Sequence, residues 1–299
     1  MFKVAIVQSG SAVYDTPACI QKLRHYAKRA ESEGAKLVLF PEAFVGGYPK
    51  GLDFGLKLGI RSDEGRREFQ RYFNSAITYE GHEANQIAEI AAETKLYIVV
   101  GVIEKSGGTL YCSVFYYGPN GERIGKHRKI MPTALERCVW GQGDGSTIEV
   151  FSTELGKISA AICWESYNPL LRTHMYQNGI QLYLAPTVDD RDVWLSSMRM
   201  IALEGRCFVI SACQFLTNKD YPSDHPTHEK EESVLIRGGS LAIDPMGKIL
   251  VQPVFDTETF HVVDIDLNAC IRGKFDLDTV GHYARNDIFK LTVNTTPNQ

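Results

Sequence analysis

The sequence predicts a layered α/β fold with mixed β-sheets, built as one domain. Three observations carry that reading. Segments patterned β-α-β alternate with segments patterned as antiparallel hairpins, so parallel and antiparallel pairs must coexist. Many strand-like runs are apolar throughout rather than alternating, the pattern of strands covered on both faces. No stretch rich in Pro, Gly and Ser divides the 299 residues, and no short-period repeat is present.

Composition narrows the function. The chain is 44% hydrophobic and 23% charged, an ordinary globular balance with enough apolar residues for a large core. A net charge of −4 supplies no basic footprint for nucleic acid and no polybasic patch for a membrane surface. The apolar part of Met1 to Gln8 is too short for a signal peptide and reads as a strand. No apolar run approaches membrane-spanning length. The seven cysteines (19, 112, 138, 163, 207, 213 and 270) are scattered, odd in number and without a CxxC pair. Neither a disulfide framework nor a zinc site is expected, and a reducing cytoplasm is.

Taken in order, Lys3 to Gln8 is a buried strand. Residues 17 to 33 form a helix with a seam of Ile20, Leu23, Ala27 and Ala30, started by Pro17 and stopped by Gly34. Lys36 to Phe40 is a second buried strand, ending in Pro41-Glu42. Residues 43 to 51, rich in glycine and aromatics, are a loop at the mouth of a pocket. Residues 52 to 80 are weakly patterned and are expected to hold short helices. A helix spans 82 to 95, with Ile87, Ile90, Ala91 and Thr94 on one face. Tyr97 to Glu104 is a strand, and 110 to 117 with 123 to 126 form a hairpin around Pro119-Asn120-Gly121-Glu122.

A polar loop follows His127 and reaches Gly145. Residues 147 to 151 and 157 to 162 are expected strands about Gly156. Cys163 closes the second of them, and a helix beginning at Pro169 ends near Asn178-Gly179. Then come a strand at 181 to 185, a helix at 192 to 204, a strand at 207 to 214 and a polar loop at 216 to 233. A hairpin at 240 to 244 and 248 to 251 and a strand at 260 to 265 complete the fold. The domain is taken as residues 1 to 290, with a short tail at 291 to 299.

Chemistry concentrates at three strand ends: Glu42, Lys129 and Cys163. Open α/β folds place ligands and reactive groups at the carboxyl ends of strands. A thiolate is a nucleophile, but a free cysteine is mostly protonated at neutral pH. An enclosed carboxylate can take its proton, and a lysine can stabilise the negative charge that develops. Each residue also has a plain structural reading. A free cysteine is most often a small buried hydrophobe. An acid after a strand is usually a solvated turn residue. Lys129 sits in a basic cluster with Lys126, His127 and Arg128. His225 and His228 lie in a polar loop without a third ligand, which reads as solvated loop. His174 sits on a helix leading away from Cys163, so it ranks below Glu42 as a base. No GxGxxG or phosphate loop is present.

Longer motifs around the same three residues carry a resemblance. Phe40-Pro41-Glu42-Ala43-Phe44 with Gly46-Gly47-Tyr48-Pro49-Lys50-Gly51, His127 through Thr133 with Glu136-Arg137 and Trp140-Gly141, and Cys163-Trp164-Glu165 with Pro169 to Arg172 are similar to the motifs of nitrilases, within the carbon–nitrogen hydrolase superfamily. Ala185-Pro186-Thr187, Ala202 to Gly205, Arg237 to Ser240 and Gly281-His282-Tyr283 extend it to about residue 290.

The resemblance implies a four-layer α-β-β-α sandwich with two mixed β-sheets. It also implies a homodimer through the outer helices, extending in many nitrilases to spirals. It implies Glu42 as general base, Lys129 as cationic stabiliser, Cys163 as nucleophile and Glu136 as a second, positioning glutamate. The implied substrate is a small-molecule nitrile, hydrolysed to acid and ammonia through a covalent thioimidate and thioester without metal or organic cofactor. Tyr48, Thr133, Trp140, Trp164 and Pro186 flank these positions and are expected to line the pocket. Trp164, directly after the cysteine, favours the nitrilase branch. An amidase with the same triad is the close alternative and a non-catalytic scaffold the distant one. Two features depart from the pattern: Ser166 stands where nitrilases often carry asparagine, and the chain runs only a short way past Gly281.

Overall fold

The computed structural model describes residues 1–298. Two six-stranded mixed sheets stack face to face. The first contains β1 (Phe2–Gln8), β2 (Ala35–Leu39), β3 (Tyr97–Ser106), β4 (Thr109–Tyr117), β5 (Arg123–Arg128) and β14 (Thr259–Ile265), in the order β14-β1-β2-β3-β4-β5. The second contains β6 (Phe151–Thr153), β7 (Gly156–Ala160), β8 (Leu182–Thr187), β9 (Phe208–Cys213), β12 (Leu241–Ile243) and β13 (Ile249–Val251), in the order β13-β12-β9-β8-β7-β6. Each sheet has a parallel centre, β1-β2-β3 in one and β7-β8-β9 in the other, flanked by antiparallel strands.

The strands read as unbroken apolar runs because each sheet buries both faces. In β1, Val4 and Ile6 point into the layer between the sheets, where they join Leu37, Leu39, Ile158 and Leu182. Ala5 and Val7 point the other way, against α1 (Thr16–Ser32) and α3 (His82–Thr94). On the far side, Tyr183, Ala185 and Val209 are covered by α4 (Pro169–Gln177) and α5 (Val193–Gly205). The layers are therefore α-β-β-α, as the resemblance implies. The helix starts follow local chemistry: Asp15 accepts the Ala18 amide before α1, and Asn168 accepts the amides of Leu170 and Leu171 before α4.

Several expectations are corrected. Residues 52 to 80 hold one 13-residue helix, α2 (Asp63–Ser75), capped by Ser62, rather than several short ones. The strand expected at 147 to 151 is displaced. Asp144 accepts the Ser146 amide and starts a 3₁₀ turn at Gly145–Thr147, so pairing begins only at Phe151. The strand before Cys163 ends at Ala160. A two-stranded ribbon, β10 (Phe215–Thr217) with β11 (Val234–Arg237), brackets the segment read as a polar loop, and a short helix α6 (Asn268–Gly273) follows the last expected strand; neither is among the expected elements. Both elements are too short for sequence periodicity to register.

Candidate active site

Three strand ends on the two facing sheets converge. Glu42 follows β2 in a backbone turn held tightly against β3. A Cβ on Gly101 would come within 2.7 Å of the Glu42 Cα, so this position requires glycine. Ala43 has φ 51°, and the Glu42 carbonyl accepts the Gln214 amide at 2.7 Å. Lys129 follows β5. Its amide donates to the Cys112 carbonyl and its carbonyl accepts from Gly143, both at 2.8 Å. Cys163 opens a 3₁₀ turn, Cys163–Tyr167, with φ 54°, a left-handed conformation costly for a side-chain-bearing residue.

The side chains meet in a buried cluster. Lys129 Nζ donates to Glu42 Oε1 at 2.7 Å and to Glu136 Oε2 at 2.9 Å. Glu136 lies in a 3₁₀ turn, Ala134–Cys138. Its Oε2 also accepts the Thr133 amide at 2.6 Å, and its Oε1 accepts the Tyr48 hydroxyl at 2.7 Å. The Lys129 and Glu42 side chains are fully inaccessible to solvent. Glu42 Oε2 is buried without a hydrogen-bond partner among the described residues. The Thr187 hydroxyl donates to Cys163 Sγ at 3.1 Å.

Charge follows from this packing. Burial raises the Glu42 carboxyl above its usual range, against the pull of Lys129 and with the push of Glu136. Burial also raises the Cys163 thiol, helped by Glu42 and opposed by Lys129. Burial alone would depress Lys129, but Glu42, Cys163, Cys112 and Glu136 outweigh it and hold the ammonium well above its ordinary value. The cluster thus keeps a permanent cation beside a carboxyl and a thiol that compete for one proton.

A cavity of about 220 Å³ opens on Cys163 and is lined by Tyr48, Thr133, Glu136, Trp164 and Asp189, among others. A neighbouring cavity of about 350 Å³ shares Tyr48, Thr133 and Glu136 and extends along Leu52, Leu135 and Trp140. The Trp140 ring stands edge-on to Tyr48, and Lys129 Nζ lies 5.6 Å from its centre.

The pattern of the carbon-nitrogen hydrolase family matches residues 3–275. Nitrilase 1 of Arabidopsis thaliana is 50% identical, over 99% of this chain and 87% of that protein. An aliphatic nitrilase of Sinorhizobium fredii is 49% identical, over 99% of this chain and 96% of that protein. The chain belongs to the nitrilase branch of the carbon–nitrogen hydrolases. Among solved structures, a member of branch 10 of the nitrilase superfamily from Saccharomyces cerevisiae superposes with a TM-score of 0.72 at 20% identity, covering 94% of this chain and 96% of that one. An amidase from Nesterenkonia sp. superposes with a TM-score of 0.67 at 18% identity, covering 90% and 92%. At that distance the likeness is one of fold.

Within this carbon–nitrogen hydrolase, Glu42, Lys129, Glu136, Tyr48, Thr133 and Trp164 stand together around Cys163. Pro186 does not: it is buried inside β8 opposite Ala212, and its neighbour Thr187 reaches the sulfur instead. His174, on α4, faces the Ile148 carbonyl through Nε2 at 3.3 Å. His225 is not solvated as expected. It is buried against Tyr221 and bonds Glu68, while His228 bonds the Tyr221 carbonyl.

Sequence reasoning missed the frame around the site. Glu165 Oε2 accepts the Ile162 amide at 2.7 Å and Oε1 the Ile130 amide at 2.6 Å, and both oxygens face His127 Nε2, the nearer at 2.9 Å. His127 Nδ1 faces the Thr147 carbonyl at 3.1 Å. Both residues lie in the quoted motifs, so the signal was present, but nothing in the spacing pairs them.

Proposed function

We propose that this protein is a nitrilase, converting a small organic nitrile and two waters to a carboxylic acid and ammonia. One observation carries the reading: Lys129 is held between the fully buried Glu42 and the largely buried Glu136, and Glu42 keeps its Oε2 without a partner beside Cys163. In this reading Glu42 takes the Cys163 proton as the sulfur attacks the nitrile carbon. One C≡N π pair moves to nitrogen, Glu42 returns the proton there, and a thioimidate forms. Glu42 then activates water. The water oxygen bonds the thioimidate carbon, both of the water's protons pass to nitrogen by way of Glu42, the C–N bond breaks, ammonia leaves and a thioester remains. A second water, activated the same way, releases the acid and restores the thiol.

Lys129 supports the charge on nitrogen and then on oxygen. Of its three N–H donors, two are committed to Glu42 and Glu136, leaving one for the reacting atom. The Trp164 amide, at the open start of the 3₁₀ turn, is the second donor. Glu136 holds Lys129 in place, and Tyr48, Thr133, Trp140 and Trp164 shape the substrate pocket. Residues 1 to 290 act as a single domain in this reading, and the seven free cysteines suit a reducing cytoplasm. We also infer a homodimer formed through the outer helices.

The test is a panel of aliphatic, arylacetic and aromatic nitriles with the matching amides, read as ammonia and acid released by wild type and Cys163→Ala. Ammonia from nitriles, lost in Cys163→Ala, is expected. Ammonia from amides alone would make the protein an amidase, and an active Cys163→Ala would remove the nucleophile.

A further inference from the structure

We infer that Thr187 is a further catalytic residue: its hydroxyl donates to the Cys163 sulfur and stabilises the thiolate that attacks. The inference rests on Cys163 being the nucleophile. Thr187 is the last residue of β8, fully buried, with Oγ1 3.1 Å from Cys163 Sγ. A hydroxyl has one proton and two lone pairs. One lone pair is taken by the Asp189 amide, which donates to Oγ1 at 2.9 Å. Among the described residues the sulfur is the acceptor left for the Thr187 proton, so the hydroxyl points at the nucleophile rather than away from it.

The orientation is held from behind. The turn carrying the Asp189 amide is pinned through the Asp189 carboxylate, which accepts Trp164 Nε1 at 2.8 Å and Arg191 Nε at 2.8 Å. The Arg191 guanidinium also lies over the Trp164 ring, 4.8 Å from its centre. Trp164 is the residue after Cys163, so one set of contacts fixes both the nucleophile turn and the hydroxyl that faces it. The branched Cβ of threonine further restricts the hydroxyl.

Burial and the Glu42 charge both oppose ionisation of this thiol, and Lys129 is shared between two carboxylates. A donor aimed at the sulfur strengthens as the thiol becomes a thiolate, because hydrogen bonds to ionised acceptors are the stronger ones. The proton lost by Cys163 goes to Glu42. Thr187 keeps its own proton throughout and stabilises the anion without transferring anything.

The experiment is the pH dependence of Cys163 alkylation by iodoacetamide, with the modified peptide identified by mass spectrometry, in wild type, Thr187→Val and Thr187→Ser. Thr187→Val keeps the shape and removes the donor. Its alkylation at pH 7 is expected to slow about tenfold, with the apparent thiolate pKa raised by about one unit and the limiting rate at high pH unchanged. Nitrile turnover at pH 7 should fall in parallel, and Thr187→Ser should restore both to within about threefold. Superimposable profiles for wild type and Thr187→Val would overturn the proposal. So would a Thr187→Ser variant as impaired as Thr187→Val, which would indicate packing alone. If Thr187→Val does not fold, Thr187→Ala replaces it under the same criteria. Failure of the underlying reading looks different: alkylation of wild-type Cys163 would leave nitrile turnover intact.

Discussion

Lys129 shows how one residue sets the chemistry of its neighbours. Its side chain is inaccessible to solvent and bridges Glu42 and Glu136. Removing it leaves the fully buried Glu42 and the largely buried Glu136 without their counter-charge. Lys129→Met is therefore expected to cost on the order of 3–5 kcal/mol of stability as well as activity, measured by urea unfolding. A stability unchanged within about 1 kcal/mol would show that the cluster does not depend on this counter-charge. Glu42 makes a second residue-scale prediction. It must be ionised to take the Cys163 proton, and burial raises its pKa. The acid limb of kcat/KM for a nitrile is then expected above the ordinary glutamate value of about 4.3, with activity rising as pH climbs through it. A profile flat down to pH 4 would rule Glu42 out as the base. At this scale the sequence was most legible: Glu42, Lys129, Cys163 and Glu136 each sit in a long motif. Thr187 lies in the quoted Ala185-Pro186-Thr187 motif, but its role was not legible, because nothing local says that a hydroxyl faces a sulfur from another strand.

At the scale of elements, the site depends on how the end of β5 is tied to the turn that starts at Cys163. The tie is the His127–Glu165 pair, two residues before Lys129 and two after Cys163. Glu165 binds the amides of Ile130 and Ile162, one from each side, so it fixes both backbones at once. Both His127 nitrogens face oxygen acceptors, which favours a fully protonated ring, and the Glu165 charge raises its pKa despite the opposing effect of burial. His127→Gln is expected to cost about 3 kcal/mol or more, as the loss of one member of a buried pair does. Because the folded pKa is raised, this contribution is fully present below about pH 6.5 and is lost as pH rises through the folded value. Urea unfolding of wild type and His127→Gln at pH 6 and pH 9 checks the sign. A stability gap that widens at pH 9 would contradict it. The expected loop after His127 hides this tie, since its role comes from a partner 38 residues away.

For the whole molecule, the alternation of β-α-β units and hairpins was readable because it reflects two sheets, each with a parallel centre and antiparallel flanks. What the residue pattern alone could not show, and only the resemblance implied, was the face-to-face stacking that brings Glu42 and Lys129 from one sheet onto Cys163 from the other. That depends on side chains of both inner faces interlocking, as Val4 and Ile6 do with Ile158 and Leu182. The outer faces then become informative. α1 and α3 bury their apolar seams against their own sheet. The pair α4 and α5 does so too, yet it also leaves Leu170, Val193 and Met200 more than half exposed. Three large apolar side chains exposed on the helices of one outer layer are costly to leave in water and suit burial against a second copy across a two-fold axis. Sedimentation at micromolar concentration is expected to give a dimer, and Leu170→Glu combined with Met200→Glu a monomer. The catalytic cluster lies between the sheets rather than on this surface, so Cys163 alkylation in that monomer is expected to match wild type within about threefold, which is under 1 kcal/mol. A wild type that sediments as a monomer would end the dimer inference. A monomeric variant whose Cys163 no longer reacts would show instead that the outer helices hold the nucleophile turn in place only when paired.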